Sequence, residues 1–368
     1  MTEPISILQV LVSTRVGGGP QHVLTVARGL RARGWRSIVA GPADGPLFAR
    51  LGEAGVETAA VRTDGLAPGA LLRLVRLIHR HRVRLVHSHG KGAGLHGRLA
   101  ARLTGVPAVH TLHGIHYERY PAPARAAYLA LERRLAAWTR VVVNVSRAQE
   151  REGLALRLFT AGQSRVILNG VDVARLTAAA LDRTEARAAL GLDPASTVVG
   201  CAARFDEVKR LDLLVEAVAA VPALTLALIG SGAEESRLRQ LAAALGVAGR
   251  VRFAGELPEA ARLFAAFDVF GAPSRKEGLP FGMVEAMALG LPVVASDIPG
   301  HREVLGKGSA GLVPGTAVAF AERLAAVVAD ADLRGRMAVE NRARVRSEFD
   351  VQDMLTALEG VYRQVLAL

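Results

Sequence analysis

Cysteine is almost missing from this sequence: Cys201 stands alone in 368 residues, which excludes an internal disulfide framework. Aromatic residues make up 4%, and no nucleic-acid recognition motif or aromatic-rich platform accompanies the basic charge, so nucleic acid is not an expected partner. No uninterrupted apolar run reaches the roughly 18 residues of a spanning helix. The best candidate, after Leu211, is broken by Asp212, Glu216 and Pro222. The first residues form a strand-like run from Ile5 to Val12 that meets Arg15 and three glycines, unlike a signal peptide. These absences lead to an expectation of cytoplasmic residence, with peripheral contact at the inner face of a membrane left open.

What is present is charge of one sign, unevenly placed. The formal net charge is +12, and residues 1–175 carry 25 Lys+Arg against 10 Asp+Glu, while the remainder carries 21 against 24. Lysine is scarce (Lys91, Lys209, Lys276 and Lys307), so a coding bias toward arginine explains the residue type. It does not explain why one half holds the excess. A basic first half implies an anionic neighbour, such as a membrane surface or a lipid-linked phosphate.

A chain this long, 51% apolar, is expected to bury two cores. The strand-like run Ile5 to Val12, a glycine loop, a helix from about Gln21 to Arg33 and a second apolar run, Ser37 to Ala40, set a βαβ rhythm. The rhythm restarts at Val198 to Ala202 after a polar helical stretch, with strands at Leu224 to Ile229, Val251 to Ala254, Val269 to Ala272 and Val293 to Ala295. The expected architecture is α/β: two doubly wound domains, residues 1–176 and 177–351, facing across a cleft, with a last helix from about 352 to 368 packing back on the first. In such sheets ligands bind beyond the carboxyl ends of the strands.

Four places there carry candidate chemistry. Gly17-Gly18-Gly19-Pro20 follows the first strand and opens a helix, so its amides are candidates for a phosphate, or its glycines serve only the turn. It has neither the dinucleotide fingerprint spacing nor a P-loop lysine. Arg204 and Lys209 follow the second domain's first strand and suit a diphosphate, or form a basic turn balanced by Asp206 and Glu207. In Glu277-Gly-Leu-Pro-Phe-Gly-Met-Val-Glu285, Pro280 suits a first helical position; Glu277 falls before the helix and Glu285 within it. The two carboxylates suit hydroxyls of a sugar and a ribose, or are a capping acid and a solvated helix residue. His113, at a strand end, suits a sugar hydroxyl or a proton. His87 and His89 raise a metal site with it, but no cysteine partner and no HExxH spacing support one, and no metal is expected. Two stretches are amphipathic: Leu71, Leu74, Val75 and Ile78 against Arg73, Arg76 and Arg80, and Tyr128, Leu131, Leu135 and Trp138 against Arg125, Arg133 and Arg134. Each is a surface helix on its own sheet or a basic membrane-contacting face.

The order of these segments resembles glycosyltransferase family 4, retaining enzymes of the GT-B fold. The resemblance runs through the Gly17 to Gly19 loop, Leu112-His113-Gly114, Val145-Ser146, Val166-Ile-Leu-Asn169-Gly170-Val-Asp172, Arg204 with Lys209, Leu228-Ile-Gly230-Ser-Gly232, Val251-Arg-Phe-Ala-Gly255, Asp268 through Ser274, Glu277 through Met287, Gly290 through Asp297, and Gly311-Leu-Val-Pro314. It covers nearly the whole chain and specifies the family more sharply than the substrate.

The resemblance implies a metal-independent hexosyltransferase that uses a nucleotide-diphosphate sugar as co-substrate, with no cofactor, and a glycan or lipid-linked acceptor of the cell envelope or an exopolysaccharide. It implies catalytic roles for His113 and Glu277. It implies donor contacts from Gly18, Gly19, Arg204, Lys209, Gly230, Leu257 near the base, the segment Leu279, Phe281 and Gly282, and Glu285 on the ribose. Pro280 departs from the common glycine and has no N–H to donate, which leaves the amides to Leu279, Phe281 and Gly282. A second departure, Val313-Pro-Gly-Thr316-Ala, lacks a common acidic residue and touches nothing catalytic. Two other readings share the fold: a sugar-nucleotide epimerase, and a silent sugar-nucleotide-binding subunit.

Overall fold

The computed structural model describes residues 4–65, 68–115, 117 and 120–368, and they form two compact units. The first comprises residues 1–169 and 351–368, the second 170–350. The first unit runs β1 (Ile5–Leu11), α1 (Gly18–Ala32), β2 (Trp35–Gly41), α2 (Leu47–Glu53), β3 (Glu57–Ala60), α3 (Pro68–Arg80), β4 (Leu85–His89), α4 (Lys91–Thr104), β5 (Ala108–Thr111), α5 (Ala122–Ala136), β6 (Val141–Asn144), α6 (Arg147–Ala155) and β7 (Ser164–Val166). All pairings are parallel, in the order β3-β2-β1-β4-β5-β6-β7.

The second unit runs α7 (Val173–Ala179), α8 (Arg183–Leu190), β8 (Thr197–Ala202), α9 (Asp212–Ala220), β9 (Leu224–Ile229), α10 (Glu235–Ala244), β10 (Val251–Phe253), β11 (Val269–Ala272), α11 (Phe281–Ala288), β12 (Val293–Ser296), α12 (Pro299–Leu305), β13 (Leu312–Val313), α13 (Ala317–Ala329) and α14 (Ala331–Glu348). Its parallel order is β10-β9-β8-β11-β12-β13. The final helix, α15 (Val351–Leu366), belongs to the first unit.

Both units are therefore doubly wound Rossmann-like sheets, as the repeated rhythm predicts. The first unit ends at Asn169, before the expected 176: α7 packs against α11, and Val171 bridges Asp350 within the second unit. The strand order reverses between β1 and β4 in one sheet and between β8 and β11 in the other. A crevice opens at such a switch point because successive crossovers leave on opposite faces.

Alternation along the strands decides the packing. On one face of the first sheet Ile7, Leu85 and Val109 bury against Val26 and Leu30 of α1 and Met354, Leu355 and Leu358 of α15. On the other, Leu8, Val10 and Val86 meet Leu74 and Ile78 of α3. That contact puts the apolar stripe of α3 on its own sheet and leaves Arg73, Arg76 and Arg80 exposed. In α5 the expected stripe is corrected. Leu131 is exposed, and Glu132 is buried, because it receives a hydrogen bond from the buried Arg98 guanidinium at 2.7 Å. No described helix is long and apolar enough to cross a membrane.

Gly29 lets α1 and α15 approach: a Cβ there would overlap Leu355 Cδ1 and lie 2.8 Å from Cδ2. Gly29→Ala should therefore lower the urea midpoint of the wild-type chain. In a Leu355→Ala background, itself costing about 2–5 kcal/mol, the same substitution should gain up to about 1 kcal/mol from helix propensity. A double-mutant cycle with no coupling between the two sites would contradict this contact.

Candidate functional site

Each switch point gathers part of the predicted site. In the second unit, the loop after β8 carries Arg204 and Lys209, and the loop after β11 carries Ser274 and Glu277. The Lys209 ammonium meets Glu277 Oε1 at 2.5 Å, and the Ser274 hydroxyl donates to the same oxygen at 2.7 Å. Glu277 is largely buried, with 13% of its side chain exposed. Burial, the largest single influence, would raise its pKa; the Lys209 charge, the nearby His301 and the hydrogen bonds from Lys209 and Ser274 together outweigh it, so the carboxyl titrates below its usual range. Gly300, at the start of α12, sits against this residue, where a Cβ would lie 2.6 Å from the Glu277 carbonyl oxygen.

Lys209 lies in a single 3-10 turn, Glu207–Lys209, rather than at the start of α9, because Arg210 adopts a left-handed conformation that interrupts the helix. Arg204 is two-thirds exposed and pairs with Asp206 at 2.9 Å. Pro280 is the N-cap of α11 rather than its first residue. The amides of Phe281 and Gly282 lie in the first turn of that helix, where no intrahelical acceptor reaches them. The side chains of Leu279 and Phe281 are buried, so only their backbone is presented. Glu285 lies partly exposed on α11. Gly230, with φ +142°, lets the loops after β8 and β9 cross, and its N–H donates to the Gly255 carbonyl at 2.7 Å. Leu257 is half-buried beyond β10, beside the Ser231–Glu256 hydrogen bond.

In the first unit, α1 begins at Gly18 after Gly17, and the amides of Gly18 and Gly19 fall in its unbonded first turn. His113 lies beyond β5 with φ +53°, a conformation uncommon outside glycine, and its Cδ2 is 3.8 Å from where a Gly19 Cβ would be. Behind it runs a chain of buried hydrogen bonds. His113 Nε2 and His89 Nδ1 are 3.0 Å apart, His89 Nε2 and Gln9 Oε1 2.8 Å, Gln9 Nε2 and the Tyr362 oxygen 3.3 Å, the Tyr362 oxygen and His87 Nδ1 2.6 Å, and His87 Nε2 and Thr111 Oγ1 2.7 Å.

Gln9 Oε1 can only accept, so His89 carries its proton on Nε2 and accepts at Nδ1; His113 must then donate from Nε2. Tyr362 accepts from Gln9 and donates to His87. On α1, His22 Nδ1 donates to Asn169 Oδ1 at 2.9 Å. Burial lowers the His22 pKa to about 4. For His87, His89, His110 and His113 burial, followed by neighbouring positive charge, holds the pKa well below the imidazole range. All five rings are neutral at pH 7.

The sequence signalled the glycine loop, Arg204, Lys209, Glu277 and His113 by their positions at strand ends. It gave no local signal for His22, Gln9, Gly300 or Tyr362. Tyr362 joins the network from 251 residues beyond Thr111.

Comparison with known proteins places these sites in context. The "Glycosyl transferases group 1" profile matches residues 182–344, and "Glycosyltransferase Family 4" matches residues 16–175. The lipopolysaccharide core biosynthesis mannosyltransferase LpsB of Rhizobium meliloti is 34% identical over 214 residues, 55% of this chain and 61% of that protein. A D-inositol 3-phosphate glycosyltransferase of Stackebrandtia nassauensis is 32% identical over 307 residues, 74% of this chain and 67% of that one. The match thus spans about three fifths of the first relative and two thirds of the second. Among solved structures, Anabaena Alr3699/HepE in complex with UDP and glucose has a TM-score of 0.87 at 24% identity, covering 98% of this chain and 100% of that one. The sucrose-phosphate synthase of Thermosynechococcus elongatus has a TM-score of 0.83 at 24% identity, covering 99% of each chain.

The neutral imidazoles make stability depend on pH. The unfolded chain binds more protons than the folded one below about pH 6.5, so this stability is complete above that value and lost on acidification toward about pH 4. Well below pH 6.5 each such ring contributes about 1.4 kcal/mol per pH unit. The urea midpoint should fall steeply between about pH 7 and pH 5; a flat profile would contradict the buried neutral rings.

Proposed function

Because the chain belongs to glycosyltransferase family 4 and has the GT-B fold, we propose that it is a retaining glycosyltransferase that moves a hexose from a nucleotide-diphosphate donor to a glycan or lipid-linked acceptor. The observation that carries the reading is the Lys209–Glu277 pair at the switch point of the second sheet, beside the open amides of α11. A cation there suits the diphosphate leaving group, and an ionised carboxylate suits sugar hydroxyls.

In this reading the bond from the anomeric carbon to the diphosphate oxygen breaks while the acceptor oxygen bonds to that carbon on the same face. The acceptor proton passes to the departing phosphate oxygen. Arg204, Lys209 and the Gly18 and Gly19 amides stabilise the diphosphate, so the chemistry calls on no metal or cofactor. Glu277 orients the sugar, Glu285 holds the ribose, Leu257 and Gly230 border the nucleotide, and His113 contacts the reacting sugar. The UDP and glucose in the HepE structure support a nucleotide-sugar donor for this chain. The names of its relatives, which refer to lipopolysaccharide core biosynthesis and to D-inositol 3-phosphate, support an anionic acceptor, and so does the basic excess of residues 1–175. The same excess supports peripheral contact with an anionic leaflet from the cytoplasmic side through Arg73, Arg76 and Arg80.

Nuclear magnetic resonance of the product should show the donor's anomeric configuration; inversion would refute the mechanism. Turnover of a nucleotide sugar without acceptor into an epimer would favour an epimerase, and absence of both transfer and donor hydrolysis a silent subunit. Glu277→Gln should lower kcat roughly 10- to 1000-fold, and Arg204→Ala should weaken donor binding by about 1.5–3 kcal/mol. Wild-type transfer in the first, or wild-type donor affinity in the second, would remove those roles. Flotation with vesicles should require anionic lipid and weaken in an Arg73→Ala/Arg76→Ala/Arg80→Ala variant; binding indifferent to lipid charge would discard the membrane contact.

A further inference from the structure

His22, His89 and His113 come from three separate elements, yet one nitrogen from each lies within 4.8 Å of the other two. The hydrogen bonds behind the rings decide which nitrogens face inward. His22 gives its Nδ1 proton to Asn169 Oδ1 and His89 its Nε2 proton to Gln9 Oε1, which turns the lone pairs of His22 Nε2 and His89 Nδ1 toward one another's neighbourhood and toward His113 Nε2. His22 is buried, with 1% of its surface exposed, and its Nε2 has no hydrogen-bond partner. A buried lone pair without a donor is a defect in a protein interior unless something fills it.

Two side-chain carbonyls on the outer nitrogens and convergent lone pairs on the inner ones form the arrangement by which proteins hold transition metals. The sequence-level trio with His87 is replaced: both nitrogens of His87 are bonded, to Tyr362 and Thr111, and His22 takes its place. His110 pairs with Ser88, at strand positions adjacent to and facing oppositely from His87 and His89.

We propose that His22 Nε2, His89 Nδ1 and His113 Nε2 form a three-imidazole site for a borderline transition-metal dication of the Zn²⁺ class, with a fourth position open on the partly exposed His113 side. Nitrogens sharing a tetrahedral Zn²⁺ at about 2.0–2.1 Å lie about 3.4 Å apart, so His22, within 4.8 Å of the other two, must move in by at most about 1.4 Å while the 3.0 Å His89–His113 contact opens slightly. The His113 proton moves from Nε2 to Nδ1, and no charge other than the ion's is introduced. The site stands apart from the proposed transfer reaction. Its consequence for that reaction rests on the role given to His113: the bound ion occupies Nε2 and covers the other ring nitrogen with a proton, so it acts as an inhibitor and not as a cofactor.

The test uses the full-length, untagged protein, stripped with chelator and dialysed against buffered Zn²⁺. One equivalent should bind at micromolar concentration or below. His22→Gln and His89→Gln should each lose at least a hundredfold in affinity, and Asn169→Ala about 10- to 100-fold. His79→Ala, on the exposed face of α3, should change nothing. Absence of binding below millimolar Zn²⁺, or binding undiminished in a His22→Gln/His89→Gln chain, overturns the site. Should those variants not fold, the ¹⁵N shifts of the wild-type imidazoles decide: Zn²⁺ must move the inward nitrogens of His22, His89 and His113, and unchanged shifts overturn the proposal. In a separate arm, Zn²⁺ should abolish transfer and chelator restore it. Binding without inhibition would leave the site intact and remove the role assigned to His113.

Discussion

A parallel sheet covered by helices on both faces offers no water to the polar side chains along its strands, so each must find a partner inside the protein or destabilise it by several kcal/mol. The first unit places Gln9, His87, Ser88, His89, His110, Thr111 and Asn144 in four interior strands, β1, β4, β5 and β6, all at 1% exposure or less. That is a heavy polar load for strands that ordinarily carry aliphatic residues. Much of the load is met across the parallel register, which sets His87 beside Gln9 and Ser88 beside His110, while Asn144 Nδ2 donates to Ser164 Oγ; His110 Nε2 and Asn144 Oδ1 stay buried without a partner. Tyr362, brought in by the returning helix α15, donates the hydrogen bond that His87 Nδ1 would otherwise lack. The helix thus contributes a polar keystone as well as apolar area.

The second unit meets the same constraint with charge. Glu277 sits where burial disfavours an isolated ion, and the paired Lys209, with His301 and Ser274, keeps its carboxyl ionised. Removing either partner leaves an uncompensated charge, so the two positions form one functional unit. The glycines nearby serve this geometry. Gly300 admits the Glu277 backbone, and Gly230 and Gly232, at φ +142° and +155°, admit the loop that carries Arg204. A Cβ at Gly232 would press on the backbone of Phe205, next to that arginine.

How far a sequence reveals such a site depends on the distance over which its parts communicate. The two sheets were legible because hydrophobic period and turn residues are local, and the strand ends followed from them. Lys209 and Glu277 were legible as candidates for the same reason, but their contact spans 68 residues and required the β8–β11 adjacency. The error in α5 has the same origin: helical period places Leu131 inward, and only Arg98, on another helix, makes Glu132 the buried residue. The unit boundary lies earlier than local pattern suggests because α7 reads as a continuation of the preceding segment, whereas its packing partner α11 lies far downstream.

Tautomers were the least legible feature, because a histidine's donor and acceptor are set by whichever group its far nitrogen meets. Gln9 is the decisive residue. Its amide oxygen faces His89 and its amide nitrogen faces Tyr362, so one side chain fixes the proton on His89, then on His113, and in the other direction on Tyr362 and His87. If the Gln9 amide turned over, every donor in the row would become an acceptor and His113 would carry its proton on the opposite nitrogen. The sheet fixes where the rings lie; a single amide fixes what each ring can do. For a reaction that depends on whether His113 accepts or donates, Gln9 therefore controls the chemistry of a residue it does not touch.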